Sequence, residues 1–160
     1  MKGFRVGFGY DVHQLKEGVP FWLGGIEVVH DKGAVGHSDA DVLIHVICDA
    51  LLGAADLRDI GFHFSDQDPK FKGIDSKILL SDVMKLLRDE GYAIGNIDST
   101  ICLQLPKINP HIPDMKACLA DVMGIEPNQV SIKATTTEKL GFVGRQEGVS
   151  AYCVVLIYKV

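Results

Sequence analysis

The amino-acid sequence predicts an α+β fold in which a mixed β-sheet carries helices packed on one face. Strand segments are mixed with three helical segments along the chain, an order typical of this fold class. The last strand segment, AYCVVLIY, is apolar on both of its faces and must be covered on both. A chain of 160 residues has few helices for that task, so burial against another copy of the protein is favoured.

Length, composition and charge limit the function classes. The length favours one domain, residues 1–160, and a hydrophobic content of 47% excludes disorder. No apolar run approaches the ~20 residues that span a bilayer, so a membrane is not expected as a partner. A net charge of −5 without a basic stripe argues against nucleic acid. The N-terminal stretch MKGFRVGFGYD lacks the apolar segment of a signal peptide, which predicts a cytoplasmic protein.

Four cysteines lie inside apolar segments and form no C-x-x-C pair: Cys48, Cys102, Cys118 and Cys153. This placement predicts reduced, buried thiols that act as small apolar groups. A catalytic thiolate needs a basic and partly open setting, which none of the four has.

The first half of the chain predicts a strand, a hairpin, a helix and a long loop. Residues 4–10 are predicted as the strand, and FWLGGIEVV as the hairpin. Residues 38–53 form an apolar helical pattern, with Ser38 as N-cap, Asp41 in the capping-box position and Gly53 near its end. Residues 56–73 contain Gly, Pro and Asp without periodicity and are predicted as a loop, a length that usually indicates a functional segment.

The second half predicts two helices and three strands. A helix is expected over residues 75–90, stopped by Gly91, and a second over residues 114–123, closed by Gly124. The segment NIDSTICLQL alternates between apolar and polar side chains, as a half-buried strand does. VSIKATT and AYCVVLIY are the two remaining strands.

Two side chains of the first strand form a candidate metal site with a distant histidine. Asp11 and His13 are two residues apart and therefore share one face of the strand. On the apolar helix, Asp41, His45 and Asp49 follow an i, i+4, i+8 spacing and form a polar stripe, so His45 can complete the set. Two imidazoles and one carboxylate suit Zn²⁺ with an open fourth position. Alternatively, His45 hydrogen-bonds Asp49 or a backbone carbonyl in the core; the residues alone leave both interpretations open.

Two further stretches suit phosphate, each with a plainer alternative. His37 and Ser38 stand where free backbone N–H groups are expected to open the helix, which is either an anion site or a simple N-cap. KATTTEKLGFVGR places three threonines after Lys133 and before Glu138, which suits phosphate oxygens and a divalent cation. The same stretch contains a capping box from Thr135 to Glu138 and can instead start a helix. No P-loop and no G-x-S-x-G elbow is present.

The order and spacing of six stretches resemble the 2-C-methyl-D-erythritol 2,4-cyclodiphosphate synthase family of the non-mevalonate isoprenoid pathway: GYDVH, GHSDADVLIHVICDALLGAA, DIGFHF, DPKFKGIDS, PKINPHIP and KATTTEKLGFVGRQEGVSA. The resemblance runs from about residue 6 to the last strand. It implies a homotrimer with active sites between subunits. It also implies that 4-diphosphocytidyl-2-C-methyl-D-erythritol 2-phosphate is cyclised by its own 2-phosphate, with release of CMP.

The resemblance also implies the metals and the catalytic residues. One Zn²⁺ per subunit is held by Asp11, His13 and His45, and a second ion, Mg²⁺ or Mn²⁺, contacts Glu138. Residues implied to stabilise the transition state are His37 and Thr136. These metals explain how an acidic protein can bind an anionic substrate.

The remaining implied substrate contacts fall into three groups besides Asp11, His13 and His37. The residues implied around the methylerythritol sugar are Asp49, Asp59, Ile60, Gly61, Phe64, Ser65, Asp66, Gln67 and Asp68. Those implied for the cytidine pocket are Leu103, Gln104, Leu105, Pro106, Lys107, Ile108 and Asn109. Those implied on the phosphate side are Ser38, Thr135, Thr136, Thr137, Glu138, Phe142 and Arg145.

Some residues depart from the family pattern, and two other functions remain open. Arg58 stands where the family usually has Gly, Ser65 where it has Pro, and Leu103 and Leu105 where smaller residues are common. The first alternative is a zinc-dependent phosphoesterase that uses the same ligands to activate water. The second is a trimeric, non-catalytic module that binds isoprenoid diphosphates in an axial cavity.

Overall fold

The computed structural model describes residues 3–160, so Met1 and Lys2 of the predicted domain 1–160 lie outside the described residues. The strands of this part are β1 (Phe4–Glu17), β2 (Trp22–Leu23), β3 (Ile26–Glu27), β4 (Lys32–Val35), β5 (Tyr92–Cys102), β6 (Val130–Thr135) and β7 (Gly148–Lys159). Its helices are α1 (Val42–Ala55), α2 (Ile60–His63), α3 (Ser76–Asp89), α4 (Ile112–Met123) and α5 (Gly141–Gly144).

Five strands form one mixed sheet in the order β4-β1-β7-β5-β6, and β2 pairs with β3 as the predicted hairpin. Within the sheet, β5 and β6 run parallel and the other neighbours are antiparallel. The predicted α+β class with a mixed sheet is therefore confirmed. The first strand is longer than the predicted residues 4–10, because β1 pairs with β7 over its first part and with β4 over its last.

Helix α1 lies directly on β1 and β7 and forms the centre of the core. Its backbone approaches β1 so closely that a Cβ added at Gly7 would collide with the Ala50 carbonyl, and one at Gly9 with the Val46 carbonyl. Only glycine fits at these two positions. Most side chains of α1 are fully buried, as its apolar sequence predicts. The close approach fixes the height of α1 above the strand that carries the candidate metal residues.

The other face of the sheet is apolar and exposed in the single chain. On β1, Phe4, Val6 and Phe8 are 67%, 60% and 62% exposed. On β7, Tyr152 and Val154 are also exposed, whereas the alternate residues of this strand are buried under the helices. The prediction that the last strand is apolar on both faces is therefore confirmed, and its second face has no cover within the described residues.

Helix α1 begins and ends later than the sequence predicts. Its N-cap is Asp41, whose carboxylate accepts a hydrogen bond from the Ile44 N–H, and not Ser38. Ala40 has a φ of +59°, which a helix cannot continue through. At the other end the helix passes Gly53 and is capped by Asp56, whose φ is +63°. The predicted helix start was wrong because Ser38 and Asp41 are both good caps, and the tertiary contacts of Asp41 decide between them.

Three other boundaries differ from the expectations. The long loop at residues 56–73 contains α2 and a 3₁₀ turn at Pro69–Phe71. Strand β5 ends at Cys102, which leaves Leu105 exposed. No helix begins at the predicted capping box of Thr135 to Glu138 within the described structure; Glu138 has a φ of +52°, and α5 starts only at Gly141. The capping-box alternative for this stretch was therefore wrong.

The thiols agree only in part with the expectation that all four are buried. All four cysteines are free; Cys48 and Cys153 are buried, and the other two are partly buried. Burial raises the pKa of the Cys153 thiol to about 12, so this group stays protonated. Among residues 3–160, no helix combines the length and the apolar character needed to cross a bilayer.

Replacing Gly53 by alanine should stabilise the protein. Gly53 lies inside α1, is exposed, and has open space where a Cβ would stand. Alanine in a helix interior is favoured over glycine by about 0.5–1 kcal/mol, because glycine loses more backbone entropy on folding. We expect Gly53→Ala to raise the urea midpoint accordingly with an unchanged m-value. A lowered midpoint would show that this part of α1 packs against another surface in solution.

Candidate functional site

Asp11, His13 and His45 converge on one point. His13 Nε2 lies 3.0 Å from Asp11 Oδ2, His45 Nδ1 lies 3.1 Å from the same oxygen, and the two ring nitrogens are 3.0 Å apart. The second oxygen of Asp11 accepts from the Val12 N–H at 2.8 Å, which turns Oδ2 toward the histidines. The alternative in which His45 bonds Asp49 is not observed, because its ring contacts other groups.

The local structure explains this convergence. Asp11 and His13 follow Gly7 and Gly9 on the face of β1 that is covered by α1. His45 lies in the first turn of α1, directly before Val46, whose carbonyl contacts Gly9. The strand alternation therefore aims two side chains at the helix, and the glycine contact brings the third within reach.

The donor set fits a divalent cation. The three candidate ligand atoms are mutual neighbours and partly buried. Zinc bonds of about 2.0–2.1 Å in tetrahedral geometry place neighbouring ligand atoms about 3.3–3.4 Å apart, close to the spacing of these atoms. Burial raises the pKa of Asp11, but hydrogen bonds from His13 and His45 outweigh that effect and hold this pKa well below its usual range. The carboxylate is therefore ionised, as a metal ligand must be.

His45 is also held on the far side of its ring. Its Nε2 lies 3.0 Å from Ser76 Oγ and 3.1 Å from Ser38 Oγ. Ser76 is the first residue of α3, is fully buried, and donates its hydroxyl hydrogen to Asp39 at 2.5 Å. Sequence reasoning did not find Ser76 or Asp39 as part of the site.

The triad opens into a cavity of about 390 Å³. Ten of its lining residues were predicted from the sequence: Asp11, His13, His37, Ser38, His45, Asp49, Ile60, Gly61, Phe64 and Asp66. Three further lining residues were missed: Phe71, Ile74 and Leu79. These three supply an apolar wall, and ordinary apolar residues of a loop and a helix give no signal that separates a cavity wall from a core.

Asp49 and α2 form one side of this cavity. Asp49 Oδ1 accepts from the Ile60 N–H at 2.8 Å, and Asp59 caps α2 by accepting from the Phe62 N–H. Burial raises the pKa of Asp49. Arg58 has a φ of +70°, which suits the glycine expected here better than arginine, and its guanidinium lies 4.0 Å from the centroid of the Phe62 ring.

The loop after α2 reaches back to His37. His37 Nε2 lies 3.3 Å from the carbonyl oxygen of Asp68, and the Asp68 carboxylate accepts from the Lys70 N–H. Ser65 Oγ accepts from the Gln67 N–H in the same loop. His37 and Ser38 lie several residues before the first helical residue, so the predicted anion site on helix amides is wrong in that detail. Both residues nevertheless line the cavity.

Asp41 belongs to the fold and not to the cavity. It is fully buried and accepts from the N–H groups of Gly24 at 2.9 Å, Gly25 at 2.7 Å and Ile44 at 3.0 Å. The predicted stripe of Asp41, His45 and Asp49 is therefore divided, because only His45 and Asp49 face the cavity.

A second cavity, of about 260 Å³, lies beside the last residues of β5 and β6. Its lining residues are Leu103, Pro106, Lys107, Ile108, Asn109, Ala134, Thr135 and Thr136. The predicted cytidine loop and the predicted phosphate threonines therefore come together. Gln104 accepts from the Lys139 N–H at 3.3 Å, which joins the two stretches. Leu105 is exposed and lies outside the lining.

Threonine hydroxyls form hydrogen bonds within the segment that follows β6. Thr136 Oγ1 donates to Glu138 Oε1 at 3.3 Å, and Thr137 Oγ1 donates to the Leu140 carbonyl at 2.6 Å. Positive φ values at Glu138 and at the next residue indicate strained backbone, which is common at functional sites. Nearby, Phe142 is partly exposed, and Arg145 forms a two-bond ion pair with Glu147 at 3.0 and 3.1 Å.

The two cavities are far apart within one chain. Asp11 pairs with Ala151 on β7, which pairs with Ile101 on β5, which pairs with Ala134 on β6. Three inter-strand steps of about 4.8 Å separate the metal residues from the threonine segment by about 14 Å. A single diphosphate group cannot bridge this distance inside one chain.

Comparison with known proteins gives consistent matches over nearly the whole chain. The model of the YgbB family matches residues 4–158. A 2-C-methyl-D-erythritol 2,4-cyclodiphosphate synthase of Porphyromonas gingivalis is 65% identical over 98% of this chain and 96% of its own length. One of Bacteroides fragilis is 63% identical over 98% of both chains.

Solved structures share the fold. The bifunctional IspDF of Campylobacter jejuni superposes with a TM-score of 0.96 at 38% identity; the match covers all of this chain and 43% of that longer chain. IspF of Plasmodium falciparum, solved as a CDP complex, has a TM-score of 0.87 at 33% identity, with 99% of this chain and 98% of that chain covered.

Proposed function

The chain belongs to the YgbB family, whose curated relatives are 2-C-methyl-D-erythritol 2,4-cyclodiphosphate synthases, and we propose that the Asp11, His13 and His45 cluster is the zinc centre of this activity. The enzyme converts 4-diphosphocytidyl-2-C-methyl-D-erythritol 2-phosphate to the 2,4-cyclodiphosphate with release of CMP, in isoprenoid biosynthesis. The observation that carries the proposed site is the convergence of these three ligand atoms at the cavity of about 390 Å³.

The reaction depends on the positioning of the substrate phosphates and on neutralisation of their charge more than on covalent catalysis. The nucleophile is an oxygen of the substrate's own 2-phosphate, so no serine or cysteine nucleophile is needed. Bound Zn²⁺ and a second ion, Mg²⁺ or Mn²⁺, would neutralise the phosphates and stabilise the charge of the in-line transfer. The protein's part is to hold the two anionic groups in contact and in line.

We assign roles on the sugar side from the lining of the first cavity. The free carboxylate oxygen of Asp49 can accept from the methylerythritol hydroxyls, because its other oxygen is already bonded to the Ile60 N–H. Residues 59–61 and 64–68 are proposed to close over the sugar, and the contact of His37 with the Asp68 carbonyl places its imidazole where this segment meets the cavity. His37 and Ser38 are proposed to contact the phosphates from this side.

On the nucleotide side, the second cavity is proposed to hold cytidine and the β-phosphate. Thr135 and Thr136 present hydroxyls next to the loop at residues 103–109, and Glu138 supplies a carboxylate for the second metal. A CDP complex of a relative with the same fold supports a nucleotide ligand for this site.

We propose a homotrimer in which each active site joins the metal cavity of one subunit to the nucleotide cavity of its neighbour. Two observations support this arrangement. The two halves of the predicted site are about 14 Å apart within a chain, and the uncovered sheet face is apolar over β1 and β7. Packing three sheet faces around an axis would bury that surface.

Three further points remain part of the same proposal. The subunit is one domain over residues 1–160, located in the cytoplasm. Phe142 and Arg145 line the phosphate side near the trimer axis. An axial cavity bounded by apolar side chains and by arginine would suit an isoprenoid diphosphate. The arginine would bind the diphosphate, and the isoprenoid hydrocarbon tail would contact the apolar side chains.

Phosphorus NMR on purified protein with the cytidyl substrate and Mg²⁺ tests the activity. A cyclic diphosphate together with CMP is the expected product pair. Inorganic phosphate would instead support a zinc-dependent phosphoesterase. An unchanged spectrum from zinc-loaded protein would support the non-catalytic trimeric module.

Replacing Glu138 by glutamine should weaken the response to Mg²⁺. The amide keeps the size of the side chain but removes the charge that a hard cation prefers. We expect the half-saturating Mg²⁺ concentration for CMP release to rise at least about tenfold, with zinc content unchanged. An unaltered magnesium titration would remove Glu138 from the second metal site.

Mixed trimers test whether the site lies between subunits. His45→Ala would disable one half of the site, and Glu138→Gln would disable the other half when Mg²⁺ is kept well below the raised half-saturating concentration of that variant. If those halves come from neighbouring chains, a site in a mixed trimer works when its metal half comes from a Glu138→Gln chain and its nucleotide half from a His45→Ala chain. Random mixing of equal amounts therefore restores about a quarter of wild-type activity. If both halves come from one chain, co-assembled variants stay inactive.

A further inference from the structure

We propose that Arg58 and Phe62 are positioning residues for the sugar side of the site, because the contact between their side chains holds α2 in place against Asp49. This inference deepens the proposed function and rests on it, but it concerns two residues outside the cavity lining. The guanidinium carbon of Arg58 lies 4.0 Å from the centroid of the Phe62 ring, which is within the range of a cation–π contact.

Helix α2 is too short to hold its own position. It has four residues, and a helix of this length is not stable without contacts to the rest of the protein. It is nevertheless part of the site, since Ile60 and Gly61 line the first cavity. The Ile60 N–H donates to Asp49 Oδ1 at 2.8 Å, which leaves the second carboxylate oxygen of Asp49 for the substrate sugar. Whatever fixes α2 therefore also fixes Asp49.

The chain enters α2 through a backbone conformation that is unfavourable for the residue present. Arg58 has a φ of +70°, in the left-handed region, where the Cβ of any residue other than glycine is crowded. Such a conformation persists only where other contacts enforce it. If residue 58 left this region, the direction of the chain between α1 and α2 would change, and the Ile60 N–H would move away from Asp49.

The contact with Phe62 offsets this unfavourable backbone. The Phe62 N–H donates to the Asp59 carboxylate at 2.9 Å, so the backbone that carries the ring is fixed. The ring itself is 56% exposed and has His63 as an edge neighbour, with 5.1 Å between the two centroids. The guanidinium covers part of this ring while residue 58 is left-handed, and the attraction therefore favours the left-handed conformation.

Glycine and alanine at position 58 distinguish positioning from direct substrate binding. Glycine adopts a φ of +70° without crowding and needs no contact to stay there. Alanine keeps the crowded backbone and loses the contact. A positioning role therefore predicts that glycine replaces Arg58 well and that alanine does not. If the guanidinium instead bound a substrate phosphate, both substitutions would remove that bond equally.

The kinetic test measures KM and kcat for CMP release by the zinc-loaded protein. Arg58→Ala and Phe62→Leu should each raise KM about three- to tenfold with kcat within about twofold, because substrate then binds only those molecules in which α2 is in place. Arg58→Gly should keep KM within about twofold of wild type. Adding Phe62→Leu to Arg58→Gly should raise KM no further, because the contact is already absent.

Arg88→Ala is the matched control, since Arg88 is an exposed arginine in the last turn of α3. The same loss of charge there should leave both kinetic constants unchanged. Gel filtration and urea unfolding check that every variant is folded.

Hydrogen exchange of the Ile60 amide tests the same inference without turnover. In protein without substrate, this N–H is protected by its bond to Asp49. Its exchange should be faster in Arg58→Ala and in Phe62→Leu than in the wild type, and should return to about the wild-type rate in Arg58→Gly.

Two results would overturn the inference. Equal rises in KM for Arg58→Gly and Arg58→Ala would show that the guanidinium acts on the substrate directly. Unchanged exchange of the Ile60 amide in Arg58→Ala and Phe62→Leu would show that their contact does not hold α2. Both results leave the proposed function standing as long as the wild type forms the cyclic product. Absence of that product would overturn the proposed function, and the exchange rates would still decide whether the contact holds α2.

Discussion

His45→Ala is expected to lose bound zinc and at least about a thousandfold in kcat/KM for CMP release, because a metal supplies several kcal/mol of charge stabilisation to such a transfer. The variant leaves two ligands, Asp11 and His13, which cannot hold the cation in a fixed position. The change truncates a partly buried ring at the cavity and leaves the uncovered sheet face intact. Metal analysis after gel filtration and a CMP assay measure the two losses, and the oligomer should keep its elution volume.

The matched control is His30→Ala. His30 lies outside the cavity lining, in the connection between β3 and β4. Zinc content and turnover should equal those of the wild type. A zinc-loaded His45→Ala protein would remove His45 from the ligand set, and equal losses in both variants would point to a general effect of removing histidines.

Gly9→Ala should disrupt both the fold and the metal site. A Cβ at this position collides with the backbone carbonyl of Val46, so neither a rotamer change nor a flexible side chain can relieve the contact. Helix α1 must shift away from β1, which we expect to cost about 3 kcal/mol in the free energy of unfolding. The same shift moves His45 away from Asp11 and His13 and should weaken zinc binding at least about tenfold.

Urea unfolding and chelator competition measure these two effects. Gly53→Ala is the matched control, since it adds the same methyl group to α1 at an open position. It should be more stable than the wild type and bind zinc equally well. A Gly9→Ala protein with normal stability and zinc affinity would show that the contact between α1 and β1 does not set the geometry of the triad.

The fold class was predictable because its signals are local. Period-two alternation in β5, the apolar run of α1 and the glycine stop after α4 each depend on a few neighbouring residues. The exact helix start was not predictable. Ser38 and Asp41 have similar capping propensity, and the choice depends on Gly24 and Gly25, which supply two distant N–H donors to Asp41.

The three residues of the candidate metal site could be predicted because each has a chemical signature in a pattern. Asp11 and His13 share a strand face, and His45 interrupts an apolar helix, although the sequence left a core histidine equally open. The resemblance to a family then favoured the ligand role. The structure adds what neither approach supplied, which is the distance of about 3 Å between the three atoms.

Residues around the candidate ligands were missed for a physical reason. Ser76 begins a helix and Asp39 lies in a turn, so both have ordinary local explanations. Their contact joins residues 37 positions apart and is visible only after α3 has packed beside α1. Hydrogen-bond partners of this kind depend on tertiary packing and leave no periodic trace in a sequence.

X-ray absorption at the zinc edge tests the central claim most directly. The wild-type protein should bind one zinc per chain through nitrogen and oxygen atoms at about 2.0–2.1 Å, with no sulfur at about 2.3 Å. Addition of CDP should bring a phosphorus atom into the zinc environment, because three protein ligands leave one position for a phosphate oxygen. A sulfur ligand, a fourth protein ligand that excludes phosphate, or zinc retained by His45→Ala would contradict the account.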